Sequence, residues 1–268
     1  MEKISQVSLR PASSSSKNFF MNPSTSLKGK RALVTGASSG IGRAIARALD
    51  AQGCAVALCA RREDRLREVA DELKNATVCA ADLSDEDQLI AAVKKANYEM
   101  GGLDILINSA GIARQASLIN GATSDWTDML QVNVLALAQI TREALQYFPE
   151  SGGHIIHLSS MSGHRVPGRG GFYSATKFAV RAMTEGLRQE LRLEGNMTRV
   201  GCISPGFVDT ELLDEYFQSS DNAQAKYESI GYQILQPEEI ADLVLHQLTM
   251  PATAEVTDIL VRPTAQAT

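Results

Sequence analysis

The sequence predicts an α/β protein: a single domain in which a doubly wound parallel sheet of about seven strands carries helices on both faces. Three observations predict it. Short apolar runs alternate along the chain with segments of helical periodicity. Those runs are apolar throughout rather than at every second residue, as strands covered on both faces are. Right-handed crossovers between such strands then place helices on both sides of the sheet.

Arg31 to Thr35 reads as the first strand. Gly40 to Asp50 follows as a helix, with Ile41, Ala44, Ile45, Ala48 and Leu49 at helical spacing and Gly53 as its stop. Ala55 to Ala60 is a second strand, Glu63 to Lys74 a charged helix, Thr77 to Ala81 a third strand and Asp85 to Met100 a third helix. Leu103 to Ile107 is the fourth strand, and Ser124 to Phe148 reads as one long helix stopped by Pro149. His154 to Leu158, Val200 to Ile203 and Glu255 to Val261 complete the strands, while Phe172 to Leu193 and Pro237 to Leu248 are helices. Phe207 to Leu235 shows no clear period and is expected to be an irregular lid over a site.

The first 26 residues differ from the rest. They are Ser-rich, and Glu2 is their one acid. They are expected to be a disordered tail or a leader ahead of Met21, with an organelle transit peptide as the alternative. Residues 27 to 268 then form the domain, and 268 residues suffice for a large core without staples. A net charge of -5 argues against nucleic acid as the main partner. No apolar run approaches the roughly 18 residues of a membrane span. Cys54, Cys59, Cys79 and Cys202 form no C-x-x-C pair and sit in or beside apolar runs, which fits reduced thiols in a cytoplasmic compartment.

The chemistry begins at Thr35-Gly-Ala-Ser-Ser-Gly-Ile-Gly42, between the first strand and the first helix. Gly36, Gly40 and Gly42 permit a sharp turn and close approach of a ligand, while Ser38, Ser39 and Ile41 lie between them. The free amides and positive dipole end of the helix suit a pyrophosphate. The second strand ends in Cys59-Ala-Arg-Arg62. Dinucleotide sites for NAD place an acid there, whereas arginine accommodates a 2′-phosphate. Ala60 is not acidic and Arg61 follows, so the cofactor is expected to be NADP(H). Arg62 is a second candidate for the phosphate, and for it the alternative of a solvated helix start stays open. Asp82, with Leu83 beside it, follows the third strand and is placed to accept a hydrogen bond from an adenine amino group, with an ordinary helix-start acid as the alternative.

Ser160 follows the fifth strand, at the carboxyl end of the sheet where open α/β proteins bind ligands. Tyr173 and Lys177 are four apart on one helix and share a face. A phenol of pKa near 10 needs help to act near neutrality. A neighbouring ammonium and an oxidised nicotinamide supply positive charge that favours the phenolate. Tyr173 is therefore the candidate proton donor to a carbonyl oxygen, Ser160 the group that holds that oxygen, and Asn133 the anchor for a proton relay to Lys177.

On these motifs the chain resembles the short-chain dehydrogenase/reductase family over about residues 28 to 262. Its Tyr173-Ser-Ala-Thr-Lys177, its Asn133 and its glycine turn match the family's patterns. The family's serine lies thirteen before the tyrosine, which selects Ser160 over Ser159. Asn108-Ser-Ala-Gly111 is similar to the family's Asn-Asn-Ala-Gly, with Ser109 as the departure. The resemblance implies a Rossmann-like fold. It also implies cofactor contacts at Asn108, Ala110, Gly111, Tyr173, Lys177, Pro205, Gly206, Val208 and Thr210, and a homo-oligomer, tetramer or dimer. Met161-Ser-Gly-His-Arg165, Thr184 to Glu190 and Arg262-Pro-Thr264 resemble a subgroup of carbonyl and steroid-ketone reductases. The ending is also similar to clavulanate-forming aldehyde reductases and to serine or 3-hydroxy acid dehydrogenases. This implies a small carbonyl or alcohol substrate. A non-catalytic NADP(H) sensor is the reading from another class.

Other residues attract simpler readings. His154 and His157 lie on opposite faces of one strand and cannot share a metal, so none is expected. His164 and Arg165 follow the serine loop; a structural loop pair is the simpler account, and a carboxylate contact for the arginine the sharper one. Arg169 is a further basic candidate near that loop. Trp126 is expected to anchor packing.

Overall fold

The computed structural model describes residues 26–167, 170–217 and 230–267. Seven parallel strands form one sheet: β1 (Arg31–Thr35), β2 (Ala55–Ala60), β3 (Ala76–Ala80), β4 (Ile105–Asn108), β5 (His154–Leu158), β6 (Arg199–Pro205) and β7 (Asp258–Val261). Their order is β3-β2-β1-β4-β5-β6-β7, so the winding reverses between β1 and β4. Registers such as Leu33↔Ala57, Ala32↔Ile105 and Ile107↔Ile156 bring the strand ends level there. A ligand crevice opens outside the carboxyl ends at such a reversal.

Eight α-helices among the described residues complete the layers: α1 (Gly40–Ala51), α2 (Glu63–Glu72), α3 (Glu86–Met100), α4 (Thr123–Leu130), α5 (Leu137–Leu145), α6 (Gly171–Leu193), α7 (Glu211–Phe217) and α8 (Pro237–Thr249). Alternation along β1 divides the core. Ala32 and Val34 pack with Ile45 and Leu49 of α1, Leu66 and Val69 of α2, and Val244 and Leu248 of α8. Leu33 points the other way, toward Leu89 and Val93 of α3, Ile140 of α5 and Leu191 of α6. Each such buried aliphatic side chain contributes roughly 1.5–3 kcal/mol. No helix among the described residues is long and apolar enough to cross a membrane.

The expected long helix from Ser124 is interrupted. Between α4 and α5 the chain widens into π-helix over Gln131–Ala136, and α5 ends at Leu145. The last strand is shorter than Glu255 to Val261, because Glu255 Oε1 accepts a hydrogen bond from the Val200 amide at 2.7 Å. A side chain thus meets that donor where a strand carbonyl was expected. The described part of the stretch from Phe207 to Leu235 is less irregular than expected: α7 lies inside it, and Val208 bridges to Leu235. Leu212, Leu213, Tyr216 and Phe217 recur at helical spacing, but over too few residues to declare a period. Gln218 to Asn222 and Arg169 lie outside the described residues, as do residues 1–25.

Candidate active site

Two clefts meet at the carboxyl ends of the strands. The first, about 250 Å³, is lined by Gly36, Ser38, Ser39, Gly40, Ile41, Gly42, Arg61, Arg62, Asp82, Leu83, Ala110, Gly111 and Thr210. The glycine turn is fixed by contact. Gly36 has φ of 67°, and a Cβ there would sit 3.0 Å from the Ala110 backbone. A Cβ on Gly42 would lie 2.3 Å from the Gly36 carbonyl oxygen. Thr35 Oγ1 accepts from the Ser109 and Ala110 amides, both at 3.0 Å, and ties the end of β1 to the loop after β4. That clamp does the work expected of the residue at Ser109.

Asn108 stands apart from the cleft it was expected to line. It is buried, and its amide donates to Thr141 Oγ1 at 2.9 Å, so it braces β4 against α5. Asp82 Oδ1 accepts from the Ser84 amide and hydroxyl at 3.0 and 2.7 Å, which holds its carboxyl below the ordinary range, with Arg61 adding to the effect. The cap of α3 is Asp85, not Asp82. Arg62 is the better anchored arginine: its Nη2 reaches Ser38 Oγ at 3.4 Å and Ser39 Oγ at 3.2 Å.

The second cleft, again about 250 Å³, holds Ser160 and Tyr173 with Pro205, Gly206, Val208 and Thr210. Met161, Phe207, Leu212, Leu213, Tyr216 and Phe217 make most of its wall apolar. Tyr216 lies over Tyr173, ring centroids 6.0 Å apart. Among the described residues of the lining Arg165 alone is charged, and its Nε is buried with no hydrogen-bond partner among them. His164 turns away, its Nε2 3.8 Å from Asp258. Trp126 stacks on Phe172 at 5.3 Å, a packing role.

Behind this cleft the two adjacent serines divide their work. Ser159 Oγ donates to the Lys177 carbonyl at 2.9 Å, which pins α6 to the end of β5. Ser160 is free of that duty; its Oγ accepts from the Ser162 amide at 3.1 Å, and its hydroxyl faces the same pocket as the Tyr173 phenol. Burial pushes Tyr173 above its ordinary pKa, the nearby Ser160 hydroxyl pulling the other way. Burial also lowers Lys177 to about 8. Lys177 Nζ sits 5.8 Å from the Tyr173 ring centroid and donates to the Leu158 carbonyl at 3.0 Å. The expected lowering of the phenol is therefore not what the chain's own groups produce. A buried pair at this separation leaves desolvation dominant. Asn133, on the π-helical turn, bonds Ile112 and Thr176, and a Cβ on Gly111 would meet both Asn133 Oδ1 and Lys177 Nζ within 3.6 Å. A π turn at a functional side chain is a recurrent device.

Among the contributors that the sequence reading missed, two hold bonds across the clefts. Gln266, near the end of the described chain, lines the second cleft and accepts from the Phe207 amide at 3.3 Å. Glu211 lines the first cleft and pairs with Arg62 and Arg65 at 3.1 and 2.6 Å. Neither carries a local pattern; both act across long sequence separations. Among the described residues no group of three or more His, Cys, Asp or Glu could hold a metal ion.

The pattern of a glycine turn at a sheet reversal with Ser, Tyr and Lys beside it is matched by a family model. Residues 30–221 fit the model described as short chain dehydrogenase. The chain belongs to the short-chain dehydrogenase/reductase family. It is 46% identical over 249 residues to dehydrogenase/reductase SDR family member 11 of Homo sapiens, covering 88% of this chain and 95% of that protein. An uncharacterized oxidoreductase of Staphylococcus aureus is 38% identical over 242 residues, covering 89% and 99%. Among solved structures, the closed form of a serine dehydrogenase complexed with NADP+ superposes with a TM-score of 0.82 at 32% identity, over 88% of this chain and 96% of that one. An alcohol dehydrogenase from Thermococcus sibiricus, complexed with 5-hydroxy-NADP, superposes with a TM-score of 0.79 at 29% identity, over 89% and 98%. The chain is thus an oxidoreductase of this family acting on small molecules.

Proposed function

We propose that this protein is an NADP(H)-dependent carbonyl reductase, active on ketones or aldehydes with an apolar body. The observation that carries the reading is Ser160 and Tyr173 together in one apolar pocket that adjoins the glycine-turn cleft. The cleft fits a dinucleotide phosphate. Its glycines leave no room for side chains, the start of α1 faces it, and Arg61 and Arg62 stand where a 2′-phosphate needs cations.

The bound cofactor would supply the hydride. The chain's own groups account for the proton. Burial keeps Tyr173 protonated at neutral pH, so it is ready to donate to the carbonyl oxygen. Ser160 holds that oxygen in line. The Lys177 ammonium stands near enough to favour the phenolate left behind, and its carbonyl is fixed by Ser159. Asn133 positions the loop at Gly111 against Lys177. Residues about 207–235, which include α7, act as a lid.

A second reading, oxidation of a 3-hydroxy acid, is favoured by Arg165, whose guanidinium faces the same pocket and suits a carboxylate. A purely sensing role has no use for the Ser160–Tyr173 pair. Exposed Leu130, Leu135 and Phe178 support a homo-oligomer, dimer or tetramer, and four free buried thiols support a cytoplasmic setting. The test is oxidation of NADPH or NADH against aldehydes, dicarbonyls, steroid ketones and 3-keto acids, with Tyr173→Phe as control. Turnover with NADPH on neutral ketones, lost in the control, is expected. Tight NADPH binding with no turnover on any of them would overturn the reading.

A further inference from the structure

Both oxygens of one α7 carboxylate are held by arginines, Arg62 in the lining of the first cleft and Arg65 of α2 beside it. Glu211 Oε2 accepts from Arg62 Nη1 and Nη2, each at 3.1 Å. Glu211 Oε1 accepts from Arg65 Nη1 at 2.6 Å. The same Arg62 touches the hydroxyls of Ser38 and Ser39 in the glycine turn. Two guanidiniums therefore converge on an anion position, one of them braced by the two hydroxyls, and a side chain of the protein occupies it. Glu211 is also the first residue of α7, whose Leu212, Leu213 and Tyr216 line the pocket around Tyr173. The pairs are half exposed, so they are weak enough to exchange.

We propose that Glu211 is a specificity-determining residue: it fills the place of the 2′-phosphate in the cofactor-free protein, and binding of NADP(H) exchanges it out and releases α7 over the substrate pocket. This rests on the NADP(H) reading. A phosphate carries close to two negative charges and three strong acceptors, so it outcompetes one carboxylate for the same guanidiniums. A ribose hydroxyl cannot. NADH would leave the Glu211 ion pairs in place, and the lid with them. Cofactor discrimination would then reside in two places, the arginines that attract the phosphate and the glutamate that the phosphate must displace.

The experiment uses 2′,5′-ADP and 5′-AMP as probes, with calorimetry on the full chain and on Glu211→Gln. The glutamine keeps the shape and loses the charge. The variant is expected to bind 2′,5′-ADP about three- to tenfold more tightly, as the loss of two exposed ion pairs would give, and 5′-AMP unchanged. The chain's one tryptophan, Trp126, packs against the same cluster of Ala113, Ala116, Met129 and Tyr173 as Leu212 and Tyr216 of α7, and so reports on α7 through it. Its emission should shift when 2′,5′-ADP binds the native protein, and should start from the shifted value in Glu211→Gln. Unchanged or weaker 2′,5′-ADP binding in the variant, or an equal gain for 5′-AMP, would overturn the exchange while leaving the NADP(H) reading intact. A native protein that binds both probes equally would overturn both.

Discussion

Asn133 and Ile112 are joined twice: Asn133 Nδ2 donates to the Ile112 carbonyl at 2.9 Å, and Asn133 Oδ1 accepts from the Ile112 amide at 2.9 Å. A third bond runs from Nδ2 to Thr176 Oγ1 at 3.1 Å. The widened helical turn that carries Asn133 thereby holds the loop after β4 against the helix that carries Tyr173 and Lys177. Replacing Asn133 by alanine should leave buried partners unmet and lower stability by about 1–3 kcal/mol, with a fall in turnover larger than the fall in cofactor affinity. Thermal unfolding and cofactor titration on the same variant check both halves.

Tyr173→Phe removes the proton donor and little else, since the ring is packed under Tyr216. Turnover should fall by roughly 10²–10⁴-fold or more, while NADPH binding persists. Ser159→Ala, by contrast, should act through stability, because its hydroxyl serves the Lys177 carbonyl. Comparing melting temperature with turnover in the two variants separates the roles.

Arg61→Ala and Arg62→Ala should each weaken NADPH binding about tenfold or more, as loss of a charge-assisted contact does, with little change for NADH. Fluorescence titration of both cofactors decides it. Equal losses for NADPH and NADH would remove the reason for assigning the 2′-phosphate to these residues.

Burial lowers Lys177 to about 8, so its positive charge is lost above that pH in the folded protein. Reduction rates should decline as pH rises through about 8. The stability effect has the opposite sense. Between about 8 and the ordinary lysine value near 10.4 the unfolded chain binds more protons, so stability gains from this group as pH rises. Lys177→Met should abolish that gain, read as denaturation midpoint against pH.

His154 and His157 are buried in β5, and desolvation lowers them to about 3 and about 4. Below the ordinary histidine value near 6.5 the unfolded chain takes up protons that the folded one refuses, so stability should drop as pH falls from about 6.5 toward 4. Both ring nitrogens of His154 lack partners, so His154→Leu should flatten the acid limb at little cost in stability near neutrality. Urea denaturation from pH 7 to 4 tests this.

The sheet was legible because its strands are covered on both faces, and a run such as Ala32 to Val34 carries that fact locally. The glycine turn and the Tyr173–Lys177 spacing were legible for the same reason, being set within a few residues. What escaped was decided at a distance. The π turn at Asn133 answers to Ile112, twenty-one residues back. Asn108 was read as a cofactor contact, but its partner Thr141 on α5 draws it into the core. Glu255 delays the start of β7 by serving Val200. Glu211 is invisible as a site residue until α7 is laid beside α2. Arg62 looked like the start of a solvated helix because Ser38 and Ser39 lie twenty-odd residues away along the chain.

The two clefts draw on different parts of the gene. Most of the first comes from residues ahead of Ile112, through the turn at Gly36 and the ends of β2 and β3. Most of the apolar wall of the second comes from Met161 and from Phe207 to Phe217. A lineage descending from this protein can therefore drift to a new substrate through codons of the later stretch alone. The dinucleotide cleft would be inherited with the earlier stretch, held by glycines that no side chain can replace, so long as Glu211 is kept in the later one.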